Sequence, residues 1–201
     1  YAEAWSRLVA PLPADELPCS RLAADGAYHA DPRDPTSPLL GTLELTTDEL
    51  WLCMENAAGA GGTIGRSIDE LAALCDAAEG HPRLGVCLDS CHWWASGVDV
   101  SDRAVLAAAL ADLEARIGFE RLRVLHVNDS KTPLGSNRDR HELVGRGLIG
   151  DGLATFLGHP AFQSLPAIVE TWEDKGRETE DLDRMRTLRR KGRRRWQGRG
   201  H

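Results

Sequence analysis

The stretch LGVCLDSCH, residues 84–92, decides how the chain reads. Its apolar run Leu84–Leu88 has the length of a buried strand, and it ends on Asp89 with His92 three residues further on. Working outward, the same arrangement recurs. Leu50–Met54 runs into Glu55, Leu122–Leu125 into His126, and Pro166–Val169 into Glu170. The intervals between these side chains each accommodate one strand–helix–strand crossover of ~30 residues. Parallel strands closed into a barrel bring their C-terminal ends to one rim, so residues distant in sequence converge there. Three carboxylates and a histidine at such a rim form a candidate cage for a divalent metal. Any one of them alone is an ordinary strand-end residue; the repetition carries the inference.

The intervening segments read as helices over Ser67–Ala78, Asp102–Ile117, Gly152–Phe162 and Glu178–Arg190. Ile68, Leu71, Leu74 and Cys75 share one apolar face, and Ser67 with Glu70 has capping-box spacing. Ser101 or Asp102 provides another N-cap. Alternating strands and helices of this size give an α/β fold with a parallel sheet. Residues 1–48 break the pattern. Six of the ten prolines fall there, at 11, 13, 18, 32, 35 and 38. A short helix over Ala2–Val9 is the one regular element expected in that lead, and Ala23–Leu39 reads as loop. At the other end RRKGRRRWQGR, residues 189–199, carries seven basic residues and no acid. Residues 191–201 are expected to form a solvated basic tail, with a phosphate-binding arm as the sharper alternative.

The loop NDSKTPLGSNRDRHELVGRGLIG, residues 128–150, is long for a strand–helix connection, and long loops within compact domains tend to be functional. Asp139 and His141 are two apart, so in extended backbone they face one side and can grip one ion together. His92 can join them, which gives three protein ligands with room for an open position. His81 and His159 each precede a proline and read as turn starts; with His29 and His201 they lack a metal-binding context.

Composition sets the remaining bounds. The chain has 201 residues, enough for one domain, and 42% hydrophobic content supports a packed core. A net charge of −7 argues against a generic nucleic-acid glue, although a local basic surface can still bind phosphate. Five cysteines at 19, 53, 75, 87 and 91 show no disulfide-scaffold spacing and read as reduced thiols of a cytoplasmic protein. No stretch is long and apolar enough to suggest a membrane span or a leader.

The segments MENAAGAGGTIG (54–65), CLDSCHWWASGVDV (87–100), the long loop with its flanks (125–150) and AIVET (167–171) resemble bacterial endonuclease IV. The resemblance covers residues 49–190 and implies the last four βα units of a TIM (β/α)8 barrel, an incomplete barrel of the α/β class. It implies a zinc-dependent apurinic/apyrimidinic endonuclease of base-excision repair acting on double-stranded DNA. Hydrolysis 5′ to the abasic site would leave a 3′-hydroxyl and a 5′-deoxyribose phosphate. The family holds three zinc ions and is typically monomeric. By resemblance, Glu55 bridges the first and second zinc and orients the nucleophile. Asp89, His126 and Glu170 complete the second site, and His92, Asp139 and His141 form the third. The two histidines that complete the first site have no counterpart here, so two sites are recognisable and activity is expected to suffer. Asn128, Ser130, Lys131, Arg138 and Arg140 are candidate phosphate contacts. Two other readings stay open: a non-catalytic fragment binding zinc or DNA, and a one-metal sugar isomerase or epimerase of the xylose-isomerase-like barrels.

Overall fold

A computed structural model of the chain describes residues 50–170 and 178–198. The lead over residues 1–48, its Ala2–Val9 helix, the cysteine at 19 and the last three residues lie outside the described residues. The described part is built on a four-stranded parallel sheet. Its strands are β1 (Leu52–Glu55), β2 (Leu84–Asp89), β3 (Leu122–His126) and β6 (Ala167–Ile168), in the order β1-β2-β3-β6. Each strand neighbours the next of the set, and helical segments fill the crossovers, so the sheet is an arc of a barrel. The register places Glu55 opposite Cys87 and Asp89 opposite His126, which brings the strand-end residues level with one another.

Helices cover the outer face. α1 (Ile68–Ala77) starts where the capping pattern predicts: the Ser67 side chain accepts from the Glu70 amide. The Glu70 carboxylate reaches back past the cap to the Gly65 and Arg66 amides, at 2.9 and 2.8 Å. α3 (Arg103–Arg116) is capped by Asp102 and buries Leu106, Leu110 and Leu113, spaced along one helical face. These pack with Leu84, Val86 and Leu88 of the wholly buried β2 and with Leu71 and Cys75 of α1, which makes the two-layer core of the fold. α2 (Ser90–Ser96) was not expected from the sequence. Asp89 caps its start by accepting from the His92 amide at 2.8 Å, and Gly97, at φ 107°, ends it in the left-handed conformation glycine favours.

α4 (Leu153–Gly158) is shorter than the sequence suggested, and α5 (Glu178–Gln197) is longer. The expected solvated tail is instead helix as far as Gln197 and is seated on α4. A Cβ on Gly192 would run into the Ala154 carbonyl and the Gly158 backbone, so two glycines let the helices touch backbone to backbone. The Trp196 indole N–H donates to the Thr155 carbonyl at 2.9 Å, and its ring meets the His159 ring edge to face. Gly192→Leu should therefore unseat the end of α5. We expect a loss of about 1–3 kcal/mol, the usual cost of overpacking, read as a lower denaturant midpoint. A midpoint equal to wild type would show that this crossing contributes nothing.

Candidate metal centre at the strand ends

The seven residues that the sequence nominated as ligands meet at the C-terminal ends of the strands. Glu55, Asp89 and His126 are the last residues of their strands, and Glu170 follows β6 by two positions. One ligand atom from each of these four lies within 4.8 Å of the others. The His126 Nδ1 is 3.2 Å from Glu55 Oε1 and 3.3 Å from Glu170 Oε2. The long loop folds back as a short antiparallel hairpin, β4 (Asp129–Ser130) against β5 (His141–Glu142). That hairpin carries Asp139 and His141 to the same rim. His92, from the first turn of α2, stands between the two groups. Its Nδ1 lies 2.8 Å from the Asn56 carbonyl and 3.1 Å from Glu55, and its Nε2 lies 3.2 Å from Asp139. A histidine anchored through one ring nitrogen on a backbone carbonyl has its other nitrogen fixed in direction, as metal-binding histidines commonly do.

The second group is Asp89, His92 and His141, again with ligand atoms within 4.8 Å, and Asp139 sits beside it. The His141 Nε2 is 3.0 Å from an Asp139 oxygen, yet it is buried and makes no hydrogen bond. The two groups approach without the alignment a hydrogen bond needs, as they would if both faced a third atom. Beyond its ion pair with Asp139 this buried nitrogen has no aligned hydrogen-bond partner, so it is available to a metal ion. The donor set, imidazoles with carboxylates, is of the type that binds zinc and its neighbours in the first transition row.

Electrostatics follow from the crowding. Hydrogen bonding to the Cys87 thiol, then to Glu170 and Glu55, raises the His126 pKa to about 12. For His92, burial works against the charged form, but Asp139 and Glu55 outweigh it and raise the pKa to about 11. Burial likewise opposes ionisation of Glu55, and His126 and His92 overcome it, holding the carboxyl at about 2. His141 and His92 hold Asp139 far below the usual carboxylate range. Asp89 has no exposed surface, and burial pushes its pKa up. A fully buried carboxylate without a compensating cation is costly, so this position favours a bound positive charge.

Two of the nominated phosphate contacts serve another purpose. Asn128 is 2% exposed, and its amide nitrogen donates to Asp89 at 2.5 Å and to Glu170 at 2.9 Å. Its carbonyl oxygen accepts from the Glu170 amide. Asn128 thus holds two rim carboxylates in place and has no surface to offer a phosphate. Ser130 is fully buried, and its hydroxyl bonds within the hairpin to Thr132. Lys131, Arg138 and Arg140 remain exposed on the same loop. Two thiols that read in the sequence only as buried, reduced cysteines, their C-x-x-x-C spacing being poor for zinc, also stand at the rim. Cys87 lies with Glu55 and His126, and Cys91 with Asp139 and His141. Their alternation with Asp89 along β2 and into α2 was the available signal. Cys53, Cys75, Cys87 and Cys91 are all free thiols.

Comparison with known proteins agrees with this architecture. A family profile described as xylose isomerase-like TIM barrel matches residues 39–191, and the chain belongs to that family. Within it, the similar proteins are endonucleases. A probable endonuclease 4 of Chlorobium limicola is 42% identical over 124 residues, covering 61% of this chain and 43% of that protein. A probable endonuclease 4 of Mycoplasma pneumoniae is 39% identical over 138 residues, covering 68% and 47%. The crystal structure of endonuclease IV from Thermus thermophilus superimposes with a TM-score of 0.67 at 33% identity, over 77% of this chain and 56% of that one. The chain spans about half the length of the curated relatives it matches.

Proposed function

We propose that this chain carries the metal-binding rim of a zinc-dependent abasic-site endonuclease, a cytoplasmic enzyme of base-excision repair that hydrolyses double-stranded DNA 5′ to the lesion. The observation that carries the reading is the convergence of seven ligand-type residues in two adjoining groups, with the buried His141 Nε2 beside the Asp139 carboxylate and without an aligned hydrogen bond. Glu55, Asp89, His126 and Glu170 would hold one ion, and His92, Asp139 and His141 another. Bound there, divalent ions would polarise the phosphoryl group and neutralise charge on the departing oxygen. Glu55 contacts both His126 and His92, so its carboxylate spans the two groups and is placed to orient a nucleophile. Asn128 fixes the directions of Asp89 and Glu170. Lys131, Arg138 and Arg140 would take backbone phosphates beside the lesion, because cations on an exposed loop position a duplex without reading its bases. An extrahelical abasic sugar reaches such a rim at low cost, since no base must be unstacked.

One observation favours weakened catalysis. Among the described residues the histidines near Glu55 are His92 and His126, and both already belong to the two groups. Among the described residues, a third ion would find no histidine of its own. The sugar-isomerase reading is disfavoured by the second group, for which a one-metal isomerase has no use.

Elemental analysis of the purified chain, together with cleavage of a duplex containing one abasic site, tests the proposal. We expect about two zinc ions per chain and detectable cleavage 5′ to the lesion. His141→Ala should lower the zinc content by about one. Zinc without cleavage would leave the non-catalytic binding fragment. Isomerisation of a ketose would replace both readings, and unchanged stoichiometry in His141→Ala would remove that residue from the metal set.

A further inference from the structure

The C-terminal turns of α5 carry charge that the strand-end site does not use. Arg190, Lys191, Arg193, Arg194 and Arg195 are all exposed on the outer helical layer. Their display is fixed from beneath. Gly192 is seated on α4, Trp196 is bonded to the Thr155 carbonyl, and the Arg103 guanidinium lies 4.3 Å over the Trp196 ring. Arg103 also donates to the Arg195 carbonyl, which ties the start of α3 to the end of α5. Acidic neighbours are few. Asp151 takes Lys191 and Arg184, and Asp183 takes Arg186. Among the described residues none of Arg190, Arg193, Arg194 and Arg195 forms an ion pair. Residues 190, 193 and 194 share one face of the helix by their spacing. Thr187, Arg190, Lys191, Arg194 and Arg195 line one open groove, and a second, bordered by Arg103, Thr155 and Trp196, shares Arg194 and Arg195 with it.

Cations in a last helical turn complement the helix dipole, but that effect is confined to one turn and amounts to under ~1 kcal/mol. It gives no reason for four arginines without a close ion pair among the described residues, on a chain of net charge −7. We infer that Arg190, Arg193, Arg194 and Arg195 form a second phosphate-binding surface, away from the metal rim, that grips the backbone of duplex nucleic acid without regard to sequence or damage. The chemistry selects that partner. Arginine forks match phosphate oxygens two at a time. The one aromatic residue in these turns, Trp196, has its ring taken up by the Arg103 guanidinium and by His159 and its N–H bonded to the Thr155 carbonyl, so it is not free to stack an unpaired base, which favours duplex over single strand. Helix rigidity holds the four charges in a fixed array that a flexible tail would not keep.

The test is binding of an undamaged mixed-sequence DNA duplex to the full chain as a function of salt. No chemistry occurs with that probe, so the outcome is separate from the abasic-site reading. The fourfold variant R190Q/R193Q/R194Q/R195Q should bind at least about tenfold more weakly at low salt. It should also flatten the log–log salt dependence by about 3 to 4, as expected for roughly four lost phosphate contacts. The matching arginine-to-lysine variant should keep most of the slope, which separates lost charge from lost structure. Equal affinity and slope in wild type and the glutamine variant would overturn the inference. So would a binding loss confined to anionic phosphatidylserine vesicles, or a preference for single strands over duplex.

Discussion

Replacing Asp129 with alanine should destabilise the chain by about 4 kcal/mol, more than substitution of any proposed metal ligand. Asp129 is fully buried at the start of the hairpin, and its carboxylate collects four backbone amides. Ser130 donates at 2.8 Å, Gly147 and Ile149 each at 2.9 Å, and Gly150 at 3.0 Å. Gly147, Ile149 and Gly150 lie beyond the β4–β5 hairpin, so the side chain satisfies their amides where no strand does. Removing it strands several buried donors at ~1–3 kcal/mol each, partly relieved by entering water. A change of about 4 kcal/mol lowers the melting temperature of a domain this size by about 10 °C. Gly147 has the complementary constraint: a Cβ there would lie 2.5 Å from the Asp129 carboxylate and from the Ser130 carbonyl. Because the same loop carries Asp139 and His141, Asp129→Ala should also lose the ion assigned to them, although the Asp129 carboxylate bonds to backbone amides rather than to either residue. Asp129→Asn keeps one acceptor oxygen and should sit between the two. A melting temperature within about 2 °C of wild type for the alanine variant would mean that the loop is held by something else.

How legible the fold was depends on which residues carried a period. β2 and α3 could be read because their apolar positions are dense and regular: Leu84 to Leu88 in one case, Leu106, Leu110 and Leu113 in the other. The ligand residues stood out because strand ends repeat. α2 could not be read because seven residues are too few for a helical period to show, although Asp89 and Gly97 supplied both of its caps. Asp129 was hidden for a different reason. A buried acid in a polar loop looks like any solvated acid until its amide partners, up to 21 residues away, are in view. The end of α5 misled through composition. Arginines dominate residues 189–195, yet Leu188, Gly192 and Trp196 lie four apart beneath them, and that spacing fixes the helix on α4. Asn128 and Ser130 read as candidate phosphate contacts because sequence does not show burial; both are buried, and their side chains bond within the rim and the hairpin.

The zinc affinity of each site should climb about tenfold for each pH unit between pH 6 and 8. In the metal-free chain His126 and His92 are protonated across that range, with pKa values raised to about 12 and about 11. A histidine must lose its proton before its nitrogen can bind an ion, so loading both groups expels about two protons. Each displaced proton makes the apparent affinity rise tenfold per pH unit for as long as the pH stays below that group's pKa. The sign is therefore upward with pH throughout, with no plateau near neutrality. Ordinary histidines, with pKa near ~6.5, would give a curve that flattens above about pH 7. The cause is the same crowding that makes the site. Carboxylates that would share an ion hold protons on the imidazoles when the ion is gone, so proton and metal compete for one pool of negative charge. Glu170→Gln removes a proposed ligand and should lower the affinity, while Cys87 and Glu55 still hold the proton on His126 and keep the slope. Chelator competition across the pH range reads the slope, and calorimetry in two buffers of different ionisation enthalpy counts the protons. A slope near zero above pH 7, with well under one proton released per ion, would mean that the carboxylates do not converge on these histidines as the rim geometry requires.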